Sequence, residues 1–432
     1  MAGTEHALDV YLGKTLIAQI ALQDDDITWQ YQSGWLHEGY SLSPHLPLQE
    51  DIPTVNAQRF LRNLLPEGDG LEELLRSFHL SKQNTFGLVK ALGLDVPGAL
   101  VIVPAGESLP ESAAFRELTT EELTSRLNSR DEFGLIIWDD KPRLSVAGIQ
   151  DKINLIVTED GLLGFGEGRL CSTHILKFEK QRLSHLVLNE YLTMQLAKRC
   201  GLPVAETQLM RFGSHPALLV KRFDRKLIAA KEIERHHIID GCQALNLPPE
   251  YKYERNFGSS RDVAHIREGA SLPKLFEFAN QCNSPIQTRQ VLLDWVLFNS
   301  LVFNYDAHGK NISFYVSAQG LSLTPFYDLV NIRMYPDFEQ DMAMALGDEF
   351  DGNSVNAYQL ADFADTCQLP RSLVANRLND LSLKLLVALD AIPKALSVNQ
   401  GENNTIERYS QCIKERATHL LEQSQQIEGM AL

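Results

Sequence analysis

The chain is poor in cysteine, in long apolar runs and in positive charge, and each shortage removes a class of function. Its six cysteines (Cys171, Cys200, Cys242, Cys282, Cys367 and Cys412) stand far apart, with no C-x-x-C among them. Neither a disulfide framework nor a thiolate zinc site is expected, and reduced thiols suit a reducing compartment. The best apolar stretch, VLFNSLVF at 296–303, is far short of the roughly 20 residues a membrane-spanning helix needs. The opening residues carry Glu5 and Asp9 where a secretory signal would place a basic start and an apolar run. A cytoplasmic protein that does not engage the membrane is the expectation. Lys and Arg number 40 against 56 Asp and Glu, a formal net charge of −16. A surface of that sign does not coat nucleic acid by neutralising phosphates, so any link to DNA would run through a partner or a local patch. Nucleotide binding is not opposed, because a metal ion and a few local cations manage the phosphates.

What is present is ordinary for a globular protein: 44% hydrophobic and 22% charged residues over 432 positions, a length that suits two or three domains. No internal repeat, low-complexity tract or long linker interrupts it. Strand-like runs LDVYL and TLIAQIAL come first, then helical spacing around RFLRNLLPEG and LEELLRSFHL, then the strand GALVIVP. The acidic stretch 106–123 reads as a connector into a helix capped by Thr119 or Thr120. From about 135 strands dominate (FGLIIW, INLIV, LLGFG, THILKF, ALLVKRF), broken by a helix over 185–202 that Gly201 ends. Beyond 237 the pattern is helical, with one hairpin, ISFYVSAQGLSLTPF (312–326). The order predicts an α+β protein with a strand-rich lobe and then a helical lobe.

The strongest chemical signal is NYDAHGKN at 304–311 followed by TPFYDLVN at 324–331. Asp306 and Asn311 are five positions apart, a hairpin follows, and Asp328 comes after it. Phosphoryl transfer needs a carboxylate facing the attacking hydroxyl, and an amide oxygen and a second carboxylate to hold magnesium against phosphates. Taken alone, an Asp–Asn pair at this spacing is equally turn chemistry. His308 and Lys310 share the loop; either reaches phosphate oxygens or serves as a structural hydrogen-bonding partner. Upstream, RLSVAGIQDK (143–152) is a small-residue turn whose backbone N–H groups at Ala147 and Gly148 suit phosphates, although one glycine equally makes a plain hairpin. Lys177 lies in the otherwise apolar THILKF, and Glu190 thirteen positions on lies in the next helix. A strand Lys paired with a helix Glu is the kinase device for gripping α- and β-phosphates; a snorkelling lysine and a surface glutamate are the alternative.

These segments occur in the chain order of a two-lobed kinase, and the chain resembles the HipA family of bacterial kinase toxins over nearly its whole length. LLPEG (64–68) and DVPGAL (95–100) resemble the family's N-terminal subdomain, and SVAGIQDK and HILKF its phosphate loop and nucleotide strand. VKRFDR (220–225), DGCQAL (240–245) and KYE (252–254) resemble the stretch around its hinge, and DAHGKN and PFYD its catalytic and metal segments. The resemblance implies a protein-kinase-like two-lobed fold with an extra N-terminal subdomain, divided as 1–110, 111–236 and 237–432. It implies Asp306 as the catalytic aspartate, and Asn311 and Asp328 as magnesium ligands. ATP would be held by Ala147, Gly148, Ile149, Gln150, Asp151, Lys152 and Lys177, by the hinge at Ile238, Ile239 and Asp240, and by His308, Gly309, Lys310 and Tyr327 with the two metal residues. Glu190 would orient Lys177, and Ser145 would be an autophosphorylation site that switches the enzyme off.

The implied activity is ATP-dependent serine/threonine phosphorylation of a translation-related protein, an aminoacyl-tRNA synthetase being the leading class. The implied partner is a HipB-like DNA-binding antitoxin, through which the complex represses its own operon and mostly meets operator DNA. The sequence departs from the family pattern at RNFGSSRD after KYE, at the bulky Tyr305 before Asp306, and at Leu329 after Asp328. An aminoglycoside-type small-molecule phosphotransferase and a catalytically weak corepressor are the rivals. LLPEG and DVPGAL count against the first, and the joint presence of Lys177, Asp306, Asn311 and Asp328 against the second.

Overall fold

Alternating apolar residues at the start of the chain build an antiparallel sheet with strand order Asp26–Tyr31, Thr15–Gln23, Ala7–Leu12, Leu100–Pro104. The computed structural model describes residues 6–24, 26–48, 51–144, 150–180, 183–229, 232–391 and 399–432. Helices Thr54–Asn63, Gly68–Phe78 and Thr85–Leu92 lie between the third and fourth strands in sequence. A six-stranded sheet follows, in the order Thr207–Phe212, His215–Lys221, His174–Phe178, Asp151–Val157, Leu163–Gly168, Ala113–Glu117. Its apolar face packs Ile153, Leu155, Phe165, Leu176 and Phe178 around Trp138.

The chain divides into two compact units. The first comprises Met1–Gln181, Glu206–Ile239 and Tyr315–Gly320; the second comprises Arg182–Ala205, Asp240–Phe314 and Leu321–Leu432. The second is mainly helical, built on Leu186–Cys200, Pro285–Leu301, Ala357–Thr366, Arg371–Leu389 and Gln400–Ser424. Gly201 ends the first of these at φ +92°, a conformation that glycine adopts without strain. Among the described residues no helix is long and apolar enough to cross a membrane.

Three elements differ from the sequence expectation. The acidic connector contains an edge strand, Ala113–Glu117, paired with Leu163–Gly168; it is half-exposed and carries little apolar alternation to announce it. Thr119 is the helix cap there, its hydroxyl accepting from Glu122 N–H at 3.1 Å. FGLIIW pairs as a strand only at Ile137–Trp138, after a short helix Arg130–Phe133. Its apolar residues fill a turn in which the Trp138 indole donates to Leu135 O at 2.6 Å. The helical unit holds a second hairpin, Asp341–Leu346 with Glu349–Asp351, turned through Gly347 at φ +61°. Met, Ala and Leu favour helix by propensity, and five of the six residues of Asp341–Leu346 are buried, so no alternation betrays the strand.

Candidate active site

The second unit hangs the NYDAHGKN loop on the end of the long helix Pro285–Leu301. Pro at the helix start costs nothing, since its missing N–H lies in the first turn. At the other end Phe303 takes φ +55°, and the Asn304 side chain donates to Asn299 Oδ1 at 3.0 Å. The loop closes on itself: Asn311 Nδ2 donates to Asp306 O at 2.8 Å, and His308 N–H donates to the same carbonyl at 2.8 Å. That bond commits the amide nitrogen of Asn311 and leaves its oxygen as the atom it offers a cation.

Asp306 accepts a hydrogen bond at Oδ1 from Tyr253 Oη at 2.6 Å. His308 is buried; its Nδ1 accepts from Lys310 N–H at 3.2 Å and its ring meets the edge of Tyr253 with centroids 5.1 Å apart. Lys310 donates from Nζ to Asp240 Oδ2 at 2.6 Å, in an ion pair whose side chains are 4% and 13% exposed. Asp240 Oδ1 also caps the helix Gly241–Ala244 by accepting from Gln243 N–H at 2.8 Å. Both carboxylate oxygens of Asp240 are thus engaged. Glycine at 309 is a packing requirement, because a Cβ there would lie 2.6 Å from Ala270 Cβ.

The PFYD segment is pinned by paired backbone bonds, Phe326 N–H to Pro203 O and Ala205 N–H to Phe326 O, both 2.8 Å. Tyr327 is half-buried, and its hydroxyl donates to Lys310 O at 2.8 Å while accepting from Ser313 Oγ at 2.7 Å. Burial pushes its phenol far above the ordinary value, so it stays a neutral donor. Asp328 sits at φ +58°, a left-handed conformation that aspartate adopts more readily than most residues. Three residues on, Asn331 and Asn189 exchange bonds of 2.8 and 2.9 Å. That exchange ties the segment to the helix Leu186–Cys200, in which Glu190 is buried.

The first unit carries the other expected residues. Lys177 and Lys152 face each other in register on adjacent antiparallel strands, 7% and 4% exposed. Directly opposed like charges repel, and a phosphate chain is the kind of ligand such a pair suits. Asp151 opens its strand within 3.6 Å of Arg130 and 4.0 Å of Lys180. Burial raises its carboxyl above the ordinary range, against the pull of those cations. Gln150 precedes it in a bend. Ile238 and Ile239 are buried in the short strand Ile238–Asp240, where the chain passes from the first unit to the second. Ser145, Ala147, Gly148 and Ile149 lie outside the described residues. Tyr253 was not anticipated as a site residue, nor was the Asp240–Lys310 pair; partners 53 and 70 positions apart leave no local spacing signal.

Comparisons with known proteins identify the family. Residues 8–103 match the HipA N-terminal domain, and residues 144–388 match the HipA-like C-terminal domain. The chain belongs to the HipA family of protein kinases. It is 46% identical to the serine/threonine-protein kinase toxin HipA of Shewanella oneidensis over 88% of each chain. It is 31% identical to a putative kinase, Y4mE, of Sinorhizobium fredii, over 88% of this chain and 90% of that one. A solved Shewanella oneidensis complex of HipA, HipB and operator DNA contains a chain that matches with a TM-score of 0.91 and 42% identity. That match covers 98% of this chain and all of the other. The HipA-type fold is therefore present along the length, and family membership implies the use of ATP.

Proposed function

We propose that this HipA-family kinase is the toxin of a type II toxin–antitoxin pair. In this reading it phosphorylates a serine or threonine of a translation-related protein, with an aminoacyl-tRNA synthetase as the leading class. Its partner is a HipB-like antitoxin, and operator DNA is engaged mainly through that partner; the net charge of −16 suits an indirect contact. The relative's described complex with HipB and operator DNA supports the assembly. The match of residues 8–103 to the HipA N-terminal domain weighs against an aminoglycoside-type kinase. The division into 1–110, 111–236 and 237–432 is retained as the functional one.

The observation that carries the chemistry is the Asp306–Asn311 loop folded on itself by the 2.8 Å bond from Asn311 Nδ2 to Asp306 O. The acceptor hydroxyl passes its proton to Asp306 as its oxygen bonds the γ-phosphorus. The bond from that phosphorus to the bridging oxygen breaks, and its electron pair leaves with ADP. Asn311 Oδ1 and the Asp328 carboxylate are hard oxygen donors, and two protein ligands suit magnesium, which keeps waters and takes phosphate oxygens for the rest. When bound, magnesium neutralises charge developing on those oxygens. Lys177 and Lys152 hold the nucleotide phosphates, and the stretch Ile238, Ile239 and Asp240 receives the base. Phosphorylation of Ser145 adds nearly two negative charges where ATP phosphates belong, and this silences the enzyme. Phosphoproteomics after expressing the active chain against Asp306→Asn tests the reading: a small set of translation proteins gains phosphate with the active chain alone. Identical phosphoproteomes would overturn it.

A further inference from the structure

The KYE segment, Lys252 to Glu254, has no assigned task in the reading above, yet it is bonded into the catalytic loop at several points. Gly309 N–H donates to Lys252 O at 2.9 Å, and Tyr253 Oη donates to Asp306 Oδ1 at 2.6 Å. Glu254, 3% exposed, accepts from Ala345 N–H at 2.8 Å through Oε2 and from Arg267 Nε at 2.7 Å through Oε1. Its own N–H donates to Ala343 O at 2.9 Å, and Ala343 N–H donates to Tyr305 O at 2.8 Å. Tyr305 immediately precedes Asp306, so the bonds form a closed circuit: Tyr253 to Asp306, along the chain to Tyr305, across to Ala343, back to Glu254 and so to Tyr253. Every member lies in the second unit.

We propose that Tyr253 is the positioning residue of the catalytic carboxylate. Its hydroxyl holds Oδ1 of Asp306 and so presents Oδ2 to the acceptor hydroxyl, while Glu254 keeps Tyr253 in place by clamping the strand Asp341–Leu346. An aspartate carboxylate rotates broadly about its last torsion. A phenol donating to one oxygen selects one rotation, and a phenol-to-carboxylate bond of this length lies in the short, charge-assisted class. The His308 ring, edge-on at 5.1 Å, and the Lys252 ammonium, 5.4 Å from the ring centroid, restrict the Tyr253 ring itself. The phenol is better suited to this task than a cation would be, because a cation would neutralise the charge that must accept the proton. The proposal rests on Asp306 being the catalytic base.

The test is the initial rate at which the chain labels itself from γ-labelled ATP and magnesium, followed against ATP concentration. Tyr253→Phe removes one oxygen and keeps the ring. Its rate at saturating ATP is expected to fall roughly tenfold, the worth of one hydrogen bond to a charged group. Its half-saturating ATP concentration and melting temperature are expected to stay at the parent values. Asp306→Asn, run alongside, loses labelling at every ATP concentration. A Tyr253→Phe rate equal to the parent's overturns the inference and leaves the role of Asp306 standing. So does a loss of rate that comes only with a lower melting temperature or a higher ATP requirement. Labelling by Asp306→Asn at the parent rate, or no labelling by the parent itself, overturns the reading beneath it as well.

Discussion

Asp224 in the first unit accepts from two guanidinium groups and a backbone amide, whereas the side chain that donates to Asp306 in the second unit is a neutral phenol. Arg222 reaches Asp224 at 3.0 and 2.8 Å, Arg225 at 2.9 Å and Gly98 N–H at 2.9 Å. Arg225 goes on to donate to Val96 O at 2.8 Å, so VKRFDR and DVPGAL are locked together through one carboxylate. Burial alone would raise that carboxyl, but the two arginines outweigh it and hold it well below the usual range. A carboxylate so saturated with positive charge has no basicity left to use and serves as a staple. Asp306 is held by direction more than by charge, and it keeps an oxygen that can receive a proton. Both are aspartates beside motifs of the same family, and the difference between the staple and the proposed base lies in the donors.

The largest effect should come from the reactive side of the comparison. Asp328→Ala removes the carboxylate proposed to hold magnesium and is expected to abolish self-labelling from ATP while leaving the melting temperature near the parent value. Intact-protein mass after ATP and magnesium checks it. The staple should respond in the opposite way. Asp224→Ala strands two buried arginines and is expected to cost about 3–5 kcal/mol of stability, read from chemical denaturation.

A subtler effect separates the two kinds of burial by pH. His237 is buried beside Gly98 and donates from Nε2 to Leu42 O at 3.0 Å; burial pushes its imidazole down to about 4. The folded state therefore favours neutral His237, and the unfolded chain takes up its proton near pH 6.5. That contribution to stability is present above pH 6.5 and is lost as pH falls towards 4, on the order of 3 kcal/mol in all. The contribution of Asp224 has a depressed folded value instead, so it persists to about pH 4 and fades only below. Replacing His237 with Gln, which can keep the donor, should flatten the stability profile between pH 6.5 and 4 and leave the acid limb below it. An unchanged slope would show that His237 is not a buried neutral group.

The candidate loop could be picked out because phosphoryl transfer would fix the spacing of Asp306, Asn311 and Asp328, and the structure folds Asp306 and Asn311 onto one turn. Lys177 stood out because a lysine in an apolar strand has few uses, and the structure buries it opposite Lys152. Tyr253 was not, because a tyrosine in a loop carries no signature and its partner lies 53 positions away. The Asp240–Lys310 pair was hidden for the same reason, and Lys310 looked equally fit for phosphate. In the fold, the strand Ala113–Glu117 was lost inside an acidic stretch, and Asp341–Leu346 behind residues of helical propensity. Pairing across a sheet decided both, and pairing is invisible to local pattern.

If Asp306 is the base of a protein kinase, replacing it with Asn removes phosphate transfer to protein. Purified chain and its Asp306→Asn variant are each incubated with γ-labelled ATP, magnesium and a bacterial lysate, and label is separated into protein and small solutes. Label is expected in one or a few proteins with the parent chain and none above background with Asp306→Asn, although the variant still binds ATP. Equal labelling by the two chains, or label that enters only small solutes, would contradict it.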